Sequence, residues 1–169
     1  VEASVGIGLL IVRSVVGLTL AAHGAQKLFG WFGGGGIAGT GAGLEHLGFR
    51  PGRLQAALAG VLEVGAGLFV AAGFLTPLSA ATIVAVMLVA AVSAHLRNGF
   101  FAQNGGFEYA FVLGAVAAGL AFTGPGPLSL DRVLGIDWAG PAWGATALVA
   151  GLLGGTGPLL ARQAAPKAA

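Results

Sequence analysis

Residues 54–77 read LQAALAGVLEVGAGLFVAAGFLTP. From Leu54 to Leu75 this stretch carries one ionisable side chain, Glu63, in 22 residues. At 1.5 Å per residue it spans about 33 Å as a helix, enough for a bilayer core of about 30 Å. Thr76-Pro77 then forces a turn, because proline is tolerated at a helix start and not in its interior. The stretch therefore reads as a membrane-spanning helix with a carboxylate near its middle, and Pro77 opens the next one.

Working outward, similar apolar runs extend over about Val5 to Phe29, Pro77 to Leu96, and Phe107 to Phe122. The last is short and stops at Thr123-Gly124-Pro125-Gly126-Pro127, which no helix survives. A fifth run, about Ala139 to Leu160, is interrupted by Gly154-Gly155 and Pro158, so it reads either as a fifth span or as a segment lying at the interface. The first run is too long for a signal peptide and is followed by GAQK instead of an A-x-A site. Its aromatic end, Phe29, Trp31 and Phe32, suits a membrane interface.

Composition agrees. Of 169 residues, 8 are Lys or Arg and 6 Asp or Glu, so 8% are charged, against about 25% in a soluble domain. The hydrophobic fraction is 56% and the mean hydropathy +0.90. The sequence pI near 9.7 does not indicate nucleic-acid binding, because a net charge of +2 is scattered along the chain with no basic footprint. With no Cys, the chain itself has no disulfide framework, thiolate metal site or thiol-disulfide chemistry. Any redox role falls to a cofactor, a quinone or a partner. The fold expected is all-α: a transmembrane antiparallel four-helix bundle over residues 1–135, then a hydrophobic fifth helix and short basic tail over 136–169. The Ala and Gly richness suggests a bacterial gene, hence a multi-pass protein of the inner membrane.

Loop charges predict the orientation. Lys27, Arg50, Arg53 and Arg97 follow spans one and three, the Gly73–Leu78 connection is uncharged, and Arg132 is offset by Asp131 and Asp137. The positive-inside rule then places the N-terminus outside and the basic loops in the cytoplasm, with Arg162 and Lys167 joining them if the fifth run crosses. Within the Gly30–Arg53 connection, Thr40 could cap a short helix through LEHL that ends at Gly48, giving an element over one mouth of the bundle; the alternative is a disordered glycine loop.

Ionisable groups inside apolar spans are expensive and need partners or water. Arg13 and Glu63 are the deepest, and antiparallel packing of spans one and two brings their backbones to similar depth, so an Arg13–Glu63 pair is the structural expectation. A second cluster lies toward the cytoplasmic end. His23 and Lys27 share a helix face at i and i+4. His95 closes the third span and Glu108 opens the fourth, and with Glu63 these side chains could form one polar pocket. Each has an ordinary alternative: Lys27 as a snorkelling anchor, Glu108 as a helix N-terminal charge, His95 bonded to a carbonyl, Arg13 and Glu63 as a purely structural pair. No close metal-ligand motif such as HxxxH or ExxH occurs, so no metal site is assigned. Small residues at interval four, Gly17, Ala21 and Ala25, or Ala56 and Gly60, suit close helix packing in lipid and permit a homo-oligomer.

Read in order, several pieces resemble the DoxX family of small bacterial membrane proteins. They are Arg13 and HGAQKLFG (His23 to Gly30), GTG with LEHLGF (Gly39 to Phe49), and Glu63-Val-Gly-Ala-Gly-Leu with its Gly73-Phe-Leu-Thr-Pro turn. His95, Gly-Phe-Glu108-Tyr, and Gly-Pro-Leu-Ser-Leu-Asp131 complete the series. The resemblance covers about residues 8 to 135. It implies a four-helix antiparallel core and a loose functional class, which includes the small membrane subunit of an archaeal thiosulfate:quinone oxidoreductase and relatives linked to thiol, catechol or quinone stress.

Three functions follow as expectations. The first is a membrane subunit of a quinone-linked oxidoreductase or redox-stress complex. Glu63, His23 and His95 would serve as catalytic groups, and Arg13, Lys27 and Glu108 would bind the quinone. No flavin, haem or iron-sulfur motif is visible, so electrons would come from another protein or a soluble reductant. The second is a non-enzymatic scaffold that recruits soluble redox enzymes to its cytoplasmic face through Arg50, Arg53 and Arg97. The third is a small transporter lined by Glu63 and Arg13.

Overall fold

The structure is a computed structural model and describes residues 2–163, so Val1 and the basic tail residue Lys167 lie outside the described residues. Those residues form helices and no strand. In order, the helices are α1 (Glu2–Phe29), α2 (Gly36–His46), α3 (Gly52–Ala72), α4 (Thr76–Ala90), α5 (Glu108–Thr123), α6 (Leu130–Val133) and α7 (Pro141–Leu160). Helix α4 runs on through a π turn at Ala91–His95 and a 3-10 turn at Leu96–Asn98. Four helices are long and apolar enough to cross a membrane: Glu2–Phe29, Gly52–Ala72, Thr76–Asn98 and Pro141–Leu160. Helix α5 is shorter at 16 residues.

Helices α1, α3, α4 and α5 make the antiparallel four-helix bundle, and α7 packs along α4 and α5 as the fifth helix. The core between them is small and aliphatic, with Leu20, Val70, Ile83, Ala117 and Leu120 at its centre. The outward faces are apolar as well: Val5, Ile11, Val15, Leu18, Val61, Leu68 and Val149 are all exposed, as lipid contact requires.

Glycines set how closely the helices meet. A Cβ on Gly24 of α1 would stand 2.6 Å from the Gly60 carbonyl oxygen of α3, and one on Gly17 would stand 2.6 Å from the Ala71 backbone nitrogen. On α7, a Cβ on Gly151 or Gly155 would lie 2.7 Å from the carbonyl oxygen of Ala81 or Ala85, respectively. Lipid gives helices no hydrophobic reason to associate, so backbone approach at such small residues supplies the packing. The α1–α3 register follows from these contacts, with Gly17 against Gly67 and Ala71, and Gly24 against Gly60 and Val64.

That register overturns the expected Arg13–Glu63 pair. Arg13 falls opposite Gly73, where a Cβ would lie 2.9 Å from its Nη1. Gly73 is ten residues beyond Glu63 along the chain, about 15 Å of helix rise. The depth match assumed from span boundaries was wrong because the two helices are offset: the contacts of Gly17 with Gly67 and of Gly24 with Gly60 set Arg13 beside the C-terminal end of α3 at Gly73, with the first residues of α1 running beyond it.

The mouth at which Arg13 lies is closed by its own backbone bonds. Arg13 is buried and donates to the carbonyls of Ala71, in the last turn of α3, and Leu128. Asp131 of α6, 2% exposed, accepts from Leu75 N at 2.7 Å, Thr76 N at 3.1 Å and Thr76 Oγ1 at 2.8 Å. Helix α4 has no cap from its own first residues, so Asp131 supplies the missing acceptors from a distant part of the chain. Leu75, at φ +45°, is held in the left-handed region by this bonding.

The connection between α1 and α3 also differs from its sequence reading. The short helix begins at Gly36, so Thr40 lies inside it and caps nothing. Its end agrees with expectation: Gly48 adopts φ +91°, and Phe49 N donates to Leu44 O at 2.9 Å, leaving Phe49 buried. Helix α2 packs on α3 and α1 and covers the basic mouth of the bundle.

Candidate functional site

Under α2 the bundle encloses a cavity of about 380 Å³. Its floor is α4, from Ala85 to Val89 and on to His95. One wall is α3, through Leu58, Leu62 and Glu63; the other is α7, through Gly154 and Pro158; Leu44, Leu47 and Phe49 form the cap. Leu58 and Leu62 remain 50% and 47% exposed, so the α3 wall opens sideways toward lipid. The lining is apolar apart from a few groups, chiefly Lys27, Glu63, Gln55, Ser93 and His95.

Glu63, 3% exposed, is paired with Lys27, whose Nζ donates to Glu63 Oε2 at 2.6 Å. This is the one ion pair among the described residues. It joins α1 to α3 because the glycine-set register puts His23 to Lys27 alongside Gly60 to Val64. Lys27 has further N–H donors beyond the one given to Glu63. The second oxygen, Oε1, accepts from no protein group among the described residues, and Glu63 lines the cavity. A cation and a free carboxylate oxygen thus stand together on an otherwise apolar wall.

His95 sits at the outer end. Its Nδ1 lies 2.7 Å from the Gly105 carbonyl oxygen, which can only accept, so Nδ1 carries a proton and Nε2 is left free of protein partners among the described residues. The π turn that holds His95 also carries Ser93, whose Oγ donates to Val89 O at 2.6 Å. Such bulges widen a helix locally and recur at functional sites.

The remaining predicted residues are placed elsewhere. His23 lies at the same end of the bundle but does not line the cavity; its Nε2 is 3.1 Å from the Tyr109 hydroxyl of α5. Glu108 accepts from Ala102 N at 2.8 Å and so organises the turn that precedes α5. Arg13 belongs to the opposite mouth. Among the described residues, no group of three His, Cys, Asp or Glu side chains could hold a metal ion. Gly154 and Pro158 were not anticipated as site residues, and the only signal for them was an interruption in the fifth apolar run.

The arrangement can take a lipid-soluble molecule from the bilayer, hold its apolar part against Leu58, Leu62 and Val89, and present charge-assisted hydrogen bonds to a polar headgroup. Compared with protein families, residues 8–96 match the model described as DoxX, which is more than half of the chain. No curated protein and no solved structure gives a significant match.

Proposed function

The chain belongs to the DoxX family, and from that membership and its laterally open cavity we propose a multi-pass membrane subunit of a quinone-linked oxidoreductase or redox-stress complex. The bacterial inner membrane is its proposed location. The observation that carries the reading is the Lys27–Glu63 pair at 2.6 Å on the wall of a mostly apolar cavity, with one carboxylate oxygen unpartnered. A quinone headgroup needs an N–H or O–H donor at its carbonyl and a nearby proton source, and an apolar path for its tail. Lys27 supplies the donor, Glu63 exchanges the proton, and Leu58 and Leu62 border the tail's way in.

His95 Nε2 at the outer end is suited to passing protons between Glu63 and water. His23 and Glu108 support this end of the bundle without touching the headgroup, and Arg13 secures the opposite mouth. A partner redox enzyme delivers two electrons, and with two protons the quinone becomes a hydroquinone. The exposed Arg50, Arg53 and Arg97 form the side on which a soluble donor would dock.

The test compares wild type with Glu63→Gln, both in lipid nanodiscs. Wild type is expected to bind a short-tailed benzoquinone, and the complex isolated from membranes to reduce it. Glu63→Gln is expected to lower turnover by about 10²-fold or more, the usual scale for losing a proton-transfer group, with the protein still present in the membrane. Unchanged turnover in the variant overturns the assignment of Glu63, and absence of quinone binding to wild type overturns the function.

A further inference from the structure

The α7 wall of the cavity carries a gap in its helical hydrogen bonding that the proposed site leaves unused. Pro158 lies inside α7 and has no N–H, so the bond that residue 158 would give to the Gly154 carbonyl cannot form. Gly154 and Pro158 are the two α7 residues that line the cavity, and both are exposed. A carbonyl without a donor is costly in hydrocarbon, where no water replaces the lost partner. Gly154 has no side chain to cover it.

Gly154 lines the same cavity as the ion pair. A Cβ on Gly154 would be 3.5 Å from the Ala85 Cβ, and Ala85 lines the same cavity as Glu63. The wall is also fixed in place. Gly151 and Gly155 press on the backbone of α4, and beyond the helix Gln163 N donates to Gly48 O at 2.9 Å, tying this end of the chain to the loop after α2. The cavity therefore presents a donor, Lys27, and an acceptor, Glu63, on one side, and an acceptor that cannot turn away on the other.

We infer that the Gly154 carbonyl, freed by Pro158, is a ligand-binding acceptor, and that the ligand reaches it with a hydroxyl. The inference rests on the quinone reading above and sharpens it: the hydroquinone donates to Gly154 and the oxidised quinone, having only carbonyls, does not. Pro158 is then a specificity-determining residue, and it makes the cavity prefer the reduced ligand.

The experiment titrates wild type and Pro158→Ala in nanodiscs with a short-tailed benzohydroquinone under anaerobic reducing conditions, with its dimethyl ether, and with the corresponding quinone. Wild type is expected to bind the hydroquinone at least about fivefold more tightly than the ether, the scale of one net hydrogen bond. Pro158→Ala returns an N–H to Gly154, so its hydroquinone affinity is expected to fall by about the same factor while its quinone affinity holds. Pro158→Gly restores the same N–H with different packing and must give the same pattern. The inference fails if either well-folded variant binds hydroquinone as wild type does, or loses quinone affinity equally, while the quinone reading stands. If wild type binds neither form, both fail.

Discussion

The pairing of Lys27 with Glu63 can be tested through stability as well as function. At a separation of 2.6 Å, opposite unit charges attract by roughly 6 kcal/mol at an effective dielectric of 20. Desolvation offsets much of this, and Lys27 remains 27% exposed, so the net worth of the pair is well below that figure. Removing one partner is a different matter, because it strands a buried charge. Lys27→Met leaves the Glu63 carboxylate in an apolar wall and is expected to cost about 3 kcal/mol, the lower end of the range for broken buried pairs. The double variant Lys27→Met with Glu63→Leu removes both charges and fills the same space, so its stability is expected to return to within about 1 kcal/mol of wild type. Denaturation in mixed micelles, followed by the fluorescence of the three Trp residues, measures all four corners of the cycle. A double variant as unstable as Lys27→Met, or no coupling between positions 27 and 63, would refute the reasoning. Parallel coupling between Arg13 and Glu63 is expected to be absent.

Two further predictions concern the frame around the site. Asp131→Ala removes three hydrogen bonds and leaves two N–H groups at the start of α4 without acceptors, so a loss of about 3–5 kcal/mol is expected at roughly 1.5 kcal/mol per charged bond. Asp131→Asn, which keeps one acceptor oxygen, should fall between that variant and wild type in the same denaturation assay. Gly24→Leu drives a side chain into the Gly60 carbonyl and is expected to cost at least 1–3 kcal/mol by overpacking, with loss of the monodisperse peak in size-exclusion chromatography. Gly8→Ala, where an added Cβ meets nothing within 4 Å, is the control and should be neutral or slightly stabilising.

Much of this architecture is legible from local chemistry. A bilayer core sets how long an apolar helix must be, so five apolar runs gave five helices, and Thr76-Pro77 and Gly48 marked a start and an end where the backbone requires them. The same rule isolates Glu63 and Lys27, since ionisable groups in apolar spans stand out against a charge content of 8%. His95 stood out in the same way, as a titratable group closing the third apolar run.

Which of those charges meet is a separate question, and it depends on axial register. Spans read from hydropathy have soft ends, and an error of three residues moves a side chain by about 5 Å, enough to exchange one partner for another. Register is decided where Gly17 and Gly24 of α1 lie against α3, because backbone contact leaves no freedom to slide. That contact gives Glu63 to Lys27 and sends Arg13 to the far mouth, among carbonyls of Ala71 and Leu128. Membrane residence, the five apolar helices and the short roster of polar groups follow from composition and the length of the apolar runs. The ion pair, the cap that Asp131 lends to α4, and the third wall at Gly154 and Pro158 arise only when distant segments pack, since each joins residues that no local pattern relates.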